Sequence, residues 1–311
     1  MAYQQGDTIT AADYNNFAAN VNAVIGTGSG AKGYGLSEVS TLSAGATITA
    51  AQWNSLLSGL QKAANHQGTT LTNASNTVTV GGNILPLSNL AADVTLIDTN
   101  ADTADASNLS TAQAGITSQR TTSWSGTITH TFTVNYGSQN AARHFFNSGG
   151  KLHMAFTRTG GSSTDQNTAW TNLFSGLGTV TMNATDTTKS GATYGTNTAV
   201  GYRDLTTSNQ TIMSAPIGSG DYTANDILIQ AKSDGSGLLT FQIDLNDDHA
   251  AETGTYTGGG LGTAPNEGTG WTGADSVDGT LTSTITTLRA DDASKVQVAN
   301  PSFSTTTEVS A

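Results

Sequence analysis

The sequence predicts an α+β chain: a helical N-terminal segment with a duplicated helix motif, a short heptad helix, then a mainly antiparallel C-terminal domain of β-sandwich or jelly-roll type. Three observations carry this. GDTITAADYNNF at 6 to 17 returns 39 positions later as GATITAAQWNSL at 45 to 56, an internal repeat. Apolar residues then recur at steps of three and four up to about residue 110, the spacing of a helix face. Beyond residue 120 the chain changes to short alternating segments such as TITHTFTV at 127 to 134, in which Ile128, Phe132 and Val134 would face a core and the threonines would face water.

Each copy of the repeat opens with a helix start signal. Thr10 is followed three residues on by Asp13, and Thr49 by Gln52, so a side-chain oxygen can accept from the orphan amides of the first turn. The first helix places Tyr14, Phe17, Ala18, Val21 and Val24 on one stripe, the second Trp53, Leu56, Leu57 and Leu60. Gly26 and Gly68 mark their ends, and TGSGAKGYG at 27 to 35 reads as a loop, because no strand precedes it and no Gly-Lys-Ser/Thr follows to make a phosphate cradle. A third helix begins at Pro86, with Leu87, Leu90, Val94, Ile97, Ala101 and Ala104 in a heptad pattern. The heptad predicts an oligomer seam between copies of the chain; packing on its own domain is the alternative.

The strongest strand candidates are SGTITHTFTVNY, KLHMAFTR, GTVTMNATD, NDILIQAK, LLTFQIDLN and GTLTSTITTLR, with SDGSG at 233 to 237 as a hairpin turn. Two helical pieces, SQNAARHFFN and TDQNTAWTNLFSGLG, interrupt them. The expected division is a duplicated helical docking segment at 1–70, a linker and heptad helix at 71–120, and a β-rich domain at 121–311.

Only 11% of the 311 residues are charged, against roughly 25% in an ordinary soluble domain, so hydroxyls, amides and backbone must keep the surface wet. The formal charge is −12 with scattered basic residues, which argues against nucleic-acid binding. Cysteine is absent, which excludes disulfides, thiolate metal sites and a cysteine nucleophile. No run approaches the ~20 apolar residues of a membrane span, and MAYQQGDTIT lacks the features of a signal peptide, so no membrane span is expected, and the product is expected to stay in the cytoplasm or leave by lysis.

Candidate chemistry is sparse. Asp244, Asn246, Asp248 and Glu252 lie together, as do Asp98, Asn100 and Asp102; calcium would suit such oxygens, but Thr103 and Leu109 stand where an EF-hand needs Gly and Glu. The histidines His66, His130, His144, His153 and His249 form none of the paired metal spacings. Asp165, Asp186, Asp204, Asp221 and Asp226 lie in turn-like contexts, and no Gly-x-Ser-x-Gly occurs. The expectation is no catalytic residue, no metal and no cofactor. Tyr256 and Trp271, within the Gly-rich run 254 to 273, are the candidate glycan-stacking rings.

HTFTVNYGSQNAARHFFNSGGKLHMAFTRTGGSSTDQNTAWTNLFSGLGTV at 130 to 180, together with YQQGDTITAADYNNFAANVNAVIGTGSGAKGYG at 3 to 35, resembles structural proteins of tailed bacteriophage virions, particularly fibre and appendage proteins of marine phages. The Ala-Arg-x-Phe-Phe-Asn-x-Gly-Gly element and the Gln-Asn-x-x-Trp helix weigh most. The resemblance implies a virion component without catalytic residues, a tail or collar fibre or appendage that assembles with other virion proteins. In this reading Tyr14, Phe17, Val21, Trp53, Leu56 and Leu60 fill the assembly core. Homotrimers follow from the heptad and from how such fibres assemble. The alternative function is a receptor-binding protein that recognises host-surface glycan through Tyr256 and Trp271.

Overall fold

The computed structural model describes residues 9–72, 77–81, 87–110, 115–218, 220–250, 253–255, 270–272 and 276–310. It is a mixed chain of five α-helices and antiparallel sheets among these residues.

Helices α1 (Ala11–Ile25) and α2 (Ala50–Gln67) are the two copies of the repeat, and α3 (Leu87–Thr99) follows. Both repeat helices start in capping boxes. Asp13 N–H donates to Thr10 Oγ1 at 3.3 Å while the Asp13 carboxylate accepts from Thr10 N–H at 3.0 Å; Gln52 and Thr49 make the same reciprocal pair at 3.3 and 2.9 Å. Two orphan donors are thus satisfied at each start. α2 ends on Gly68 in the left-handed region, φ +70°, a conformation that costs glycine nothing.

The helices lie side by side in the same sense. Tyr14 meets Trp53, ring centroids 6.3 Å apart, and the Tyr14 hydroxyl donates to Gln52 O at 3.1 Å. Further along, Gly59 lets the helices approach, since a Cβ there would lie 3.1 to 3.2 Å from Ile25, Val21 and Val39 side-chain atoms. Parallel neighbours require a return connection, and the chain provides it along α1. Leu36 N–H donates to Ile25 O at 2.8 Å, and the Asn22 amide takes both Val39 N–H and C=O at 2.7 and 2.8 Å. The Asn15 amide takes those of Leu42 in the same way. Asn15 and Asn22 lie seven residues and about 10.5 Å apart on the helix, which three residues from Val39 to Leu42 cover only when extended. Leu36, Val39 and Leu42 turn inward while Ser37, Glu38, Ser40 and Thr41 are exposed, a three-residue period like that of polyproline II. Asn54, which stands in the second copy where Asn15 stands in the first, clips Val78 N–H and C=O at 2.8 and 2.9 Å.

Tyr14, Val21, Trp53, Leu56 and Leu60 are buried, and Phe17 is partly so. They fill the core of the helical unit itself. The α3 stripe does the same: Leu90, Val94, Ile97 and, beyond the helix, Ala101 are at most 6% exposed, with α3 packed on α1 and α2. The face that the heptad assigns to a seam between copies is therefore covered within one chain; three heptads cannot by themselves distinguish the two outcomes. The Leu87 side chain lies outside the described residues, and the Ala104 methyl abuts Gly149.

The second part contains β1 (Leu109–Ser110), β2 (Ile116–Arg120), β3 (Gly126–Asn135), α4 (Gln139–Asn147), β4 (Lys151–Thr159), α5 (Asp165–Leu177), β5 (Val180–Met182) and β6 (Thr187–Lys189). Then come β7 (Gln210–Pro216), β8 (Asp226–Ser233), β9 (Leu238–Asp247), β10 (Thr253–Thr255), β11 (Gly270–Thr272), β12 (Thr280–Ala290) and β13 (Ser302–Ser310). One sheet runs β13-β3-β9-β8-β7, a second runs β1-β12-β4-β5-β6 with β2 also on β12, and β10 and β11 pair as a two-stranded sheet. The consecutive β7-β8-β9 run is a meander, and this order does not by itself define a jelly roll.

The opening alternation resolves as expected. Ile128, Phe132 and Val134 are fully buried, while Thr127, Thr129, Thr131 and Thr133 lie on the outer face, paired across strands with Asn246, Asp244, Gln242 and Thr240. Each buried side chain of this size contributes ~1.5 to 3 kcal/mol. The sheets face one another: His130 Nδ1 lies 2.7 Å from Ser283 Oγ, and β2 meets β13 through Ser118 and Thr307. α5 packs on β4 and β7, with Trp170 edge-on to Trp124 at 5.1 Å and Phe174 6.1 Å from Phe156. Buried apolar residues from Tyr14 to Val298 form one connected core.

Two expectations follow. Trp53→Ala removes a 2%-exposed ring and should cost ~3 to 5 kcal/mol in urea denaturation; an unchanged midpoint would refute the packing of the repeat. Burial pushes the His130 imidazole down to about 4. The unfolded chain binds that proton below about 6.5 and the folded chain does not, so stability should fall as pH drops from there towards 4, by up to about 3 kcal/mol for this group. His130→Gln should flatten that part of the pH profile; identical profiles would contradict the assignment.

Candidate functional site

Helix α4 presents two faces. Its Ser138 N-cap accepts from Ala141 N–H at 3.1 Å, and Ala142, Phe145 and Phe146 turn into the core. Phe146 stacks on Tyr202 at 4.3 Å and 8°, which sets the neighbouring Arg203. The other face carries Arg143, His144 and Asn147. These grip the Gly-rich loop of the first repeat by its backbone carbonyls. Arg143 donates to Lys32 O at 2.5 Å and Thr27 O at 2.6 Å, His144 Nε2 to Thr27 O at 3.0 Å, and Asn147 to Gly30 O at 3.0 Å. Arg203 bridges Asn147 Oδ1 at 2.8 Å, Ala31 O at 3.4 Å and the Asp102 carboxylate at 3.0 Å. Lys32 pairs with Asp98, and His66 Nε2 donates to Ser148 O at 3.0 Å. The loop needs Gly33, φ +106°, where a Cβ would sit 2.2 Å from Thr27 O.

This clasp joins residues 27 to 32 to residues 143 to 147 and Arg203, and its carbonyl oxygens are acceptors turned towards side-chain N–H donors. It is a structural joint. Burial holds the His144 imidazole below its ordinary value, with Arg143 adding to the effect.

Two open concavities among the described residues involve the duplicated unit. A groove of about 610 Å³ runs over α2, walled on one side by Ser37 to Ser40 and on the other by Lys295 and Gln297, with Ser55, Ser58 and Lys62 on its floor. At the start of α2 a notch of about 320 Å³ is lined by Ile48, Trp53 and Val78. Beside it Val80 is 96% exposed, the most exposed large apolar side chain among the described residues.

The remaining candidates are dispersed. Asp98 and Asp102 are spent on Lys32 and Arg203, and Asn100 donates to Thr69 Oγ1 at 2.9 Å. Asp244 accepts from Thr129 Oγ1 at 2.6 Å, and Asn246 donates to Asp226 at 2.7 Å; burial, with Asp248 and Asp244 nearby, raises the Asp226 carboxyl. Among the described residues no three His, Cys, Asp or Glu side chains gather as metal ligands, and no helix is long and apolar enough to cross a membrane. His249 lies edge-on to Tyr222. Glu252 and Tyr256 lie outside the described residues; Trp271 is in β11, paired with Gly254, its side chain likewise outside. The clips Asn15, Asn22 and Asn54 and the clasp donor Arg203 were not singled out from the sequence, while Arg143 and Asn147 were noted only within the Ala-Arg-x-Phe-Phe-Asn-x-Gly-Gly element and His144 only as one of five histidines. The one available signal was the asparagine kept in register between the two repeats.

Comparison with protein-family models, curated proteins and solved structures found no match.

Arg143→Ala removes both of its charge-assisted hydrogen bonds to the loop carbonyls, each worth ~1.5 to 3 kcal/mol. Limited proteolysis between residues 26 and 35 should accelerate in this variant, and cleavage at the wild-type rate would contradict the clasp.

Proposed function

We propose that this chain is a non-enzymatic structural component of a tailed-phage virion, a tail or collar fibre or appendage element that works by binding neighbouring protein chains. The observation that carries the reading is the docking surface of the helical unit: an apolar notch with Val80 standing beside it, next to a long polar groove. Exposed apolar groups of this kind suit contact with a protein neighbour. The resemblance of residues 3 to 35 and 130 to 180 to virion proteins supports the same class, and the clasp between those stretches makes them one piece. Low charge with hydroxyl-paved sheet faces suits a protein held at high local concentration in an assembly.

A trimer would use a surface other than the buried α3 stripe, and the notch beside Val80 is an exposed apolar surface among the described residues. Val80→Asp should leave folding intact, because the side chain makes no buried contact, and reduce incorporation into purified particles about tenfold or more. Normal incorporation, or particles that never contain the protein, would overturn the proposal.

A further inference from the structure

The groove over α2 sits beside a worked example of how this unit holds a chain. On α1 the segment LSEVSTL, 36 to 42, lies extended along the helix with apolar residues inward at every third position and its backbone gripped by Asn15 and Asn22. α2 presents a comparable surface. It carries Asn54 in the position of Asn15, and its outer face of Ala51, Ser55 and Ser58 is small enough to let a backbone approach. Among the described residues, the chain's own return segment is clipped to this helix at Val78, and the groove is lined from Ala51 along to Lys62 and Lys295.

We infer that this groove receives an extended segment of a partner chain, with apolar residues at every third position and a carboxylate between them, laid along α2 as 36 to 42 is laid along α1. The inference rests on the assembly reading and names the chemistry of the partner. Two features select the occupant. Ser37, Glu38 and Ser40 form one wall, and their backbone groups have no hydrogen-bond partner among the described residues, so that wall offers main-chain donors and acceptors to an incoming backbone. Lys62 is exposed and has no ion-pair partner among the described residues. Lys295 adds a second cation, although Asp292 lies 3.2 Å away, and Glu38 at the wall accepts from Thr27 N–H at 3.3 Å. Among the described residues Lys62 is therefore a cation of the groove without an ion-pair partner, in a chain of formal charge −12, and an acidic partner segment complements it.

The test uses the intact protein and the capped peptide LSEVSTL, which has the predicted pattern and one carboxylate. Backbone amide shifts on titration should map to Ser37, Ser40, Ser55, Ser58 and Lys62, with a Kd on the order of 10⁻⁴ M. Lys62→Glu should weaken binding about tenfold or more. The peptide with Glu replaced by Gln should lose a similar factor, and Lys232→Glu on the distant sheet should change nothing. Absence of binding at the solubility limit of the peptide would overturn the inference. So would shifts confined to Asn15 and Asn22, which would mean displacement of the internal segment, or binding of an acidic oligosaccharide in place of the peptide. Particle incorporation is read separately through Val80→Asp: failed peptide binding with impaired incorporation of that variant removes this inference and leaves the assembly reading standing.

Discussion

The placement of every other element depends on one demand, that backbone carbonyls withdrawn from water find donors. The loop after α1 turns Thr27, Gly30, Ala31 and Lys32 carbonyls towards the sandwich, and Arg143, His144, Asn147 and Arg203 meet them. More than a hundred residues separate the loop from α4, so the contact closes a long chain and its entropy must be offset by several bonds made together. Guanidinium groups suit the task because one side chain reaches two carbonyls with its charge always present. The loop thereby links α1 and the return segment to α4 and Arg203 of the β-rich part.

The same economy recurs with neutral groups. Asparagine amides stand in for a neighbouring strand at Val39, Leu42 and Val78, satisfying donor and acceptor of one residue with a single side chain. In a chain with few charges, amides and hydroxyls perform much of the connecting that ion pairs perform elsewhere. On the sheets, cross-strand rows such as Thr129 with Asp244 and Thr127 with Asn246 hydrogen-bond to each other, so the outer faces are ordered as well as wettable.

Elements with a strong local cause were legible in the sequence. The capping boxes of α1 and α2, the alternation of β3, β4, β8, β9 and β12, and the helices α4 and α5 fall where spacing placed them. β2, β7 and β13 were not read as strands: SFSTTTEVS has only Phe303 and Val309 as apolar residues, and its pairing with β3 comes from the tertiary setting. The α3 stripe showed its period but not its partner, because a heptad looks alike whether the facing helix belongs to the same chain or another. The groove was invisible for a related reason. Its walls come from residues 36 to 40, 51 to 62 and 293 to 297, and no local pattern announces that three separated stretches will converge.

The clasp ties the helical unit to α4 and Arg203 of the β-rich part, so the two should unfold together. Differential scanning calorimetry tests that unity most directly. The clasp predicts a single transition whose calorimetric and van't Hoff enthalpies agree for wild type, splitting into two when Arg143 and Arg203 are both replaced by methionine. Two transitions in the wild type, with the helical unit melting first, would contradict the account.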